Sequence, residues 1–173
     1  MPPGCCWPGR PVALPSKRLR VISGGQTGVD RAALDVALEL GLDCGGWCPA
    51  GRRAEDGPIP VLYPLLETET ADYAGRTRRN VAEADATPML CHGGLNGGTL
   101  MTVEVACERA KPCLVIDLRR PWQPRQVQRW QKACAIRTLN VAGPRESSAP
   151  GIYALASDFL RRALTPAASR TAH

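Results

Sequence analysis

Two stretches of the chain crowd glycine together with hydroxyl, amide and acid side chains: Gly24-Gly25-Gln26-Thr27-Gly28-Val29-Asp30 and Gly93-Gly94-Leu95-Asn96-Gly97-Gly98-Thr99. Each follows a short apolar run, Val21 and Ile22 or Met89 to Cys91, and precedes a helix-like pattern. Each should therefore leave a strand and pass its backbone to a helix N-terminus, where unpaired N–H groups and the positive end of the helix dipole favour a phosphate or another oxyanion. A third turn after a strand pattern, Asn140-Val141-Ala142-Gly143-Pro144-Arg145-Glu146, adds Gly143 and a guanidinium. One such loop could be only a tight turn that needs positive φ. Three of them predict a cleft for an anionic ligand. Its candidate binding residues are Gly24, Gly25, Gln26, Thr27, Gly28, Asp30, Gly93, Gly94, Asn96, Gly97, Gly98, Thr99, Gly143 and Arg145.

The segment Trp47-Cys48-Pro49-Ala50-Gly51-Arg52-Arg53-Ala54-Glu55-Asp56-Gly57 sets two guanidiniums beside two carboxylates and an indole. That chemistry suits gripping an anion under a flat ring, with Arg52 as the candidate and Gly51 and Gly57 as hinges. The plainer alternative is a solvated loop whose arginines pair with its own acids. Further on, Arg76, Arg79 and Asn80 share a helix face and join the candidate list, whereas Arg78 points elsewhere. A catalytic set is harder to find. There is no GxSxG elbow and no plausible Cys-His catalytic pair, so a binding role is favoured over catalysis, with Glu104 or Asp117 as the base if the protein is an enzyme. Cys44 and Cys48 alone are close enough for a local ligand pair, and no histidine completes a zinc set, so no structural metal is expected.

The chain has 173 residues, 44% of them hydrophobic, which is enough for one core and short for two domains. The net charge of +6 arises at the ends: Arg10, Lys17, Arg18 and Arg20 lie among the first twenty residues, and Arg161, Arg162 and Arg170 among the last thirteen. Without them the body is close to neutral, which argues against a nucleic-acid groove. No apolar run approaches the roughly 18 residues of a membrane span. A cytoplasmic location is expected, with the cysteines as reduced thiols. Cys91 and Cys113 are expected inside buried strands, and Cys107 is expected to pack in a helix. Residues 1–17 read as an irregular basic tail, 18–165 as the ligand-binding domain and 166–173 as a flexible C-terminal tail.

Strand and helix patterns alternate along the domain. A strand near Leu19 to Ser23 precedes a helix near Gly28 to Leu40 with a stripe of Ala33, Leu34, Ala37 and Leu38. Thr27 and Asp30 have capping-box spacing. Asp43 to Pro60 reads as a long loop with a short strand at Gly46 to Cys48, followed by a segment from Val61 to Leu66 and a helix near Asp72 to Ala84. Pro88 to Cys91 and Cys113 to Asp117 read as doubly covered strands. The helix between them, Thr99 to Ala110, has Leu100, Val103, Ala106 and Ala110 along one side. A helix at Arg125 to Ala133, a strand at Thr138 to Val141 and a helix at Ile152 to Leu164 complete the series. This order predicts an α/β, Rossmann-like domain: a mainly parallel sheet flanked by helices, with its functional edge at the carboxyl ends of the strands.

The motifs Ile22 to Asp30, Gly46-Trp47-Cys48-Pro49, Gly51 to Gly57, Gly93 to Thr99 and Asn140 to Ser147, in this order, resemble the molybdenum cofactor carrier proteins. That group is similar to a circularly permuted branch of the YpsA and lonely-guy (LOG) nucleotide-binding superfamily, SLOG. The resemblance covers about Leu19 to Leu164. It implies a homo-oligomer, dimer or tetramer, that binds a small phosphorylated heterocycle, with molybdenum cofactor or a similar pterin or nucleotide as cargo. It also implies a molybdoenzyme or cofactor-insertion partner, and neither nucleic acid nor membrane. The glycine loops would hold anionic groups, flanked by Arg145 and the Arg52 loop. The alternatives are a LOG-like nucleotide phosphoribohydrolase, cleaving the N-glycosidic bond of a nucleoside monophosphate, and a nucleotide sensor. In such hydrolases a glutamate stands three residues after the Gly-Thr of the late loop, where this chain has Thr102; where carrier relatives often have a lysine after Cys48-Pro49, it has Ala50.

Overall fold

The computed structural model describes residues 18–95 and 97–165. In chain order the elements are β1 (Arg20–Ile22), α1 (Val29–Glu39), β2 (Asp43–Gly45), β3 (Trp47–Cys48), a 3-10 turn (Ala50–Arg52), β4 (Arg53–Ala54), β5 (Gly57–Pro58), β6 (Leu66–Glu67), α2 (Tyr73–Glu83), β7 (Thr87–Cys91), α3 (Gly97–Glu108), β8 (Cys113–Asp117), α4 (Pro124–Ala133), β9 (Thr138–Asn140) and α5 (Ile152–Leu164). β1 runs parallel between β2 and β9, Val21 lying opposite Cys44 on one side and Leu139 on the other. β7 and β8 pair in parallel, Met89 opposite Val115. Parallel bridges Ala86–Leu139 and Met89–Ala142 join β9 to β7, giving the spatial order β2-β1-β9-β7-β8. This is a single Rossmann-like domain in which the turns after β1, β7 and β9 all open on one edge.

The main core lies between the sheet and helices α1, α4 and α5, with Val21, Leu90, Ile116 and Leu139 meeting Val36, Val127 and Leu160. A smaller cluster of Val81, Val105 and Ala106, with Met101 and Cys113 against it, seats α2 and α3. At the amino ends of the strands, Arg18 and Leu19 share a cleft with Ile136, Leu164 and Thr165. There the Gln128 amide donates to the carbonyls of Ala163 and Thr165.

Several expectations change on contact with packing. The Thr27–Asp30 capping box does not form: Gly28 is the N-cap of α1, with φ 75° and no side-chain cap, because Asp30 turns inward to Arg76 and the Thr27 hydroxyl donates to Glu55. α3 starts at Gly97 and buries Thr99, Thr102, Val105 and Ala106, while Leu100 is 44% exposed. Its apolar residues surround the axis, so periodicity cannot choose a face, and the small side chains win because they let α2 approach. Leu38 on α1 is likewise exposed. The long loop after α1 is broken into β2, β3, a 3-10 turn and the β4–β5 hairpin, turning at Gly46 (φ 122°). Cys107 is exposed rather than packed, and Cys113 is half-buried on its edge strand.

Candidate functional site

A cleft of about 310 Å³ opens at the carboxyl ends of the strands. One wall is the start of α3, with Gly97, Gly98, Thr99 and Thr102; a second is α2, with Tyr73, Arg76 and Thr77; the third is the turn after β9, with Gly143, Pro144, Arg145 and Ser148. Gln26 and Asp30 form its floor. Pockets that take small ligands run from roughly 300 Å³ upward.

The floor is electrostatically tight. Asp30 is buried and its Oδ2 accepts from Arg76 Nη1 at 2.9 Å. Burial outweighs the attraction of Arg76 and holds the Asp30 carboxyl above the usual carboxylate range. A Cβ on Gly24 would lie 1.6 Å from Arg76 Nη1, so Gly24 is the space the guanidinium occupies. Arg76 lines the cleft, and its Nε is buried without a partner among the described residues.

The two glycine loops differ in kind. The space over the first is filled by this chain. A Cβ on Gly25 would come within 2.6 Å of Leu65 Cδ1, and one on Gly28 within 2.5 Å of the Pro144 carbonyl. Gly24, Gly25, Thr27 and Gly28 do not line the cleft; they let α1, the β9 turn and Arg76 close around it. Gly94, Gly97 and Gly98 have open space where side chains would be, and the last two line the cleft. Gly93 (φ 105°) turns away from the cleft toward β8, its N–H donating to Asp117 Oδ1 at 3.1 Å. Asn96 lies outside the described residues, as do the two tails.

Three other expected site residues are placed in the scaffold. Arg52 donates to the carbonyls of Ile59, Leu65, Pro60 and Tyr63 at 2.9 to 3.2 Å. Asn80 is buried and exchanges hydrogen bonds with the Trp47 backbone. Arg79 lies 4.6 Å over the Trp47 ring and pairs with Glu69. Arg76 and Asn80 diverge because the sheet edge draws Asn80 to β3 while Arg76 reaches the floor. Replacing Arg52 by Ala should cost about 2 kcal/mol, because four carbonyls lose a charged donor. Urea denaturation and faster amide exchange at Tyr63 and Leu65 would show it. Lysine should not restore the loss, since an ammonium cannot span the four oxygens of a planar fork.

The carboxylates offered for catalysis are held or remote. Asp117 accepts from the Arg119 side chain and backbone and from Gly93, and these bonds keep its carboxyl well below the usual range. Glu104 is exposed on α3, and neither residue lines the cleft. The Thr102 hydroxyl at the cleft wall donates to the Gly98 carbonyl at 2.9 Å. Among the described residues no group of three or more His, Cys, Asp and Glu side chains converges to hold a metal ion, and no helix is long and apolar enough to cross a membrane.

Residues 21–164 match the model of the circularly permutated YpsA SLOG family. The chain belongs to this family. A crystal structure named "Putative molybdenum carrier protein", from Syntrophus aciditrophicus SB, is similar at 43% identity with a TM-score of 0.81. The match covers 85% of this chain and 95% of that one. No curated protein matches. For this SLOG chain, sequence reasoning did not place Tyr73, Thr77, Met101, Thr102, Ala142, Pro144 or Ser148 among the candidate cleft residues. Tyr73 lies three residues before Arg76 and four before Thr77, so helical spacing from the arginine pointed to Tyr73 and through it to Thr77; Ser148 had only its nearness to Arg145.

Proposed function

We propose that the protein is a binding and carrier protein for molybdenum cofactor or a similar phosphorylated pterin or nucleotide. The observation that carries this reading is the open N-terminus of α3, Gly97 and Gly98, facing Arg145 and Arg76 across one cleft. In this reading Gln26, Asp30, Arg76, Gly97, Gly98, Thr99, Gly143 and Arg145 contact the ligand. Tyr73, 45% exposed, offers a flat face to the ring. Gly24, Gly25, Thr27, Gly28, Gly93 and Gly94 shape the loops. The name borne by the similar crystal structure supports molybdenum cofactor as the cargo. Self-association as a dimer or tetramer, hand-over to a molybdoenzyme or insertion protein, and a cytoplasmic location belong to the same proposal. Exposed Leu100 on α3 and Val115 on the edge strand β8 are the face on which copies would meet.

Three or four charge-assisted contacts of about 1.5 to 3 kcal/mol each, less the costs of association and ordering, support roughly micromolar binding. Arg145→Ala is expected to weaken a phosphorylated ligand roughly tenfold or more, measured by calorimetry. Protein purified from a cofactor-making host under protective conditions should carry a pterin, detected by mass spectrometry and oxidised-pterin fluorescence. A preparation without pterin overturns the cofactor assignment. Turnover of a nucleoside monophosphate, abolished by Glu104→Gln, would instead install the hydrolase reading.

A further inference from the structure

The rim of the cleft already holds an anion, and it is one of the protein's own. The carboxylate of Glu55, at the tip of the β4–β5 hairpin, accepts from the Thr27 hydroxyl and from both the hydroxyl and the backbone N–H of Ser147. The Arg145 guanidinium stands 3.8 Å away. Both carboxylate oxygens are engaged, and the side chain is 21% exposed. Burial pushes the carboxyl up, but the bonds from Ser147 and Thr27 outweigh it and hold the group below its ordinary range. Two hydroxyls, one amide and one guanidinium around a single anion form the donor set that a phosphate or another tetrahedral oxyanion recruits.

The base of the hairpin carrying Glu55 is clamped by Arg52 to the carbonyls of Ile59, Pro60, Tyr63 and Leu65, and the tip alone is lightly fastened otherwise. Glu55 N–H donates to the Gln26 side chain at 2.9 Å, and Arg31 reaches Asp56 at 3.2 Å, where Asp56 is 48% exposed. Nothing lies within 4 Å of the place a side chain would take on Gly57 (φ 111°), so the tip has open space on that side. Segments with few buried contacts open at low cost.

We propose that Thr27, Ser147 and Arg145 form an oxyanion subsite on the cleft rim, that Glu55 fills it as a stand-in, and that an incoming phosphate group displaces Glu55 and releases the hairpin. The proposal rests on the reading of the cleft as a phosphate site and adds an exchange step to it. An unloaded carrier thereby keeps the hairpin tip docked beside the cleft by its own carboxylate, and a loaded one presents a freed tip.

The test uses the full chain and inorganic phosphate, with chloride at matched ionic strength as control. Trypsin cleavage after exposed Arg53 should accelerate several-fold with phosphate in the unaltered protein. Glu55→Gln should cleave fast without phosphate and bind phosphate roughly fivefold or more tightly. Asp56→Asn, which frees the hairpin from Arg31 but leaves the subsite intact, should cleave faster at unchanged phosphate affinity. Phosphate that leaves cleavage of the unaltered protein unchanged or slows it overturns the exchange, as does equal or weaker phosphate binding by Glu55→Gln. None of these readouts involves a pterin, so their failure leaves the cargo assignment standing on its own test.

Discussion

Asp30→Ala is expected to cost about 3 kcal/mol of stability, the low end for breaking a buried ion pair. The loss comes from what is left behind: Arg76, 14% exposed at its side chain, would keep its charge over Gly24 with no partner. Arg76→Ala should be milder, because the abandoned carboxyl already sits above its ordinary range and can take up a proton. The double variant should then be more stable than the sum of the two single losses implies, since no uncompensated charge remains. Urea denaturation of the three variants closes the cycle. Additive losses would mean that the two residues stabilise the protein independently, and the floor of the cleft would have to be described differently. The pH sign follows from the same shift. A carboxyl raised in the folded state takes up its proton there before the unfolded chain does, so acid favours folding at this position, and its contribution falls as pH rises through the folded value. The acid-sensitive contributions sit instead at Asp117, Asp72, Glu39 and Glu55, whose carboxyls are held low by hydrogen bonds and lose that stabilisation as pH falls below their ordinary values.

Gly28→Ala should lose about 3 kcal/mol, combining the strain of a side chain at left-handed φ with a backbone collision. At φ 75° the new Cβ would meet the Pro144 carbonyl at 2.5 Å and Glu146 N at 2.8 Å, and neither is a flexible side chain that can step aside. The turn after β9 would be pushed off α1, breaking Val29 N–H to Pro144 O and Glu146 N–H to the Thr27 hydroxyl. Hydrogen exchange at Val29 and Glu146 should rise with the drop in denaturation midpoint. Gly98→Ala is the contrasting case. Its Cβ meets nothing within 4 Å, and alanine favours the helix by about 0.8 to 1 kcal/mol, so stability should hold or increase. Ligand affinity should fall, because the methyl enters the cleft. A Gly98→Ala protein that is both stable and fully competent to bind would remove the α3 N-terminus from the site.

The order of strands and helices was legible because a doubly buried strand leaves an unbroken apolar run, as at Pro88 to Cys91, and because the Ile152–Leu164 helix has clear amphipathic spacing; the similar run at Cys113–Asp117 proved to be an edge strand with Val115 exposed. The cleft walls were legible wherever glycine and arginine sit just past a strand, as at Gly97, Gly98 and Arg145. What sequence could not give was which of two similar glycine loops is open: the atoms that fill the first, from Ile59, Leu65 and the β9 turn, are distant in the chain. The same holds for the arginines. Arg52 and Arg76 look alike in a string of letters, yet one is surrounded by carbonyls and the other by a buried acid. Glu55 read as half of a charged loop, and its partners Thr27 and Ser147 lie 28 and 92 positions away.

Arg18 and Thr165, the first and last described residues, border one hollow at the edge of the sheet away from the ligand cleft. A domain whose first and last described residues are neighbours can be joined there and reopened at another surface turn without moving any strand, and that is the geometry a permuted order of elements demands. A fluorophore attached at Arg18 or Thr165 would therefore report from the far pole, leaving the mouth of the pocket unobstructed.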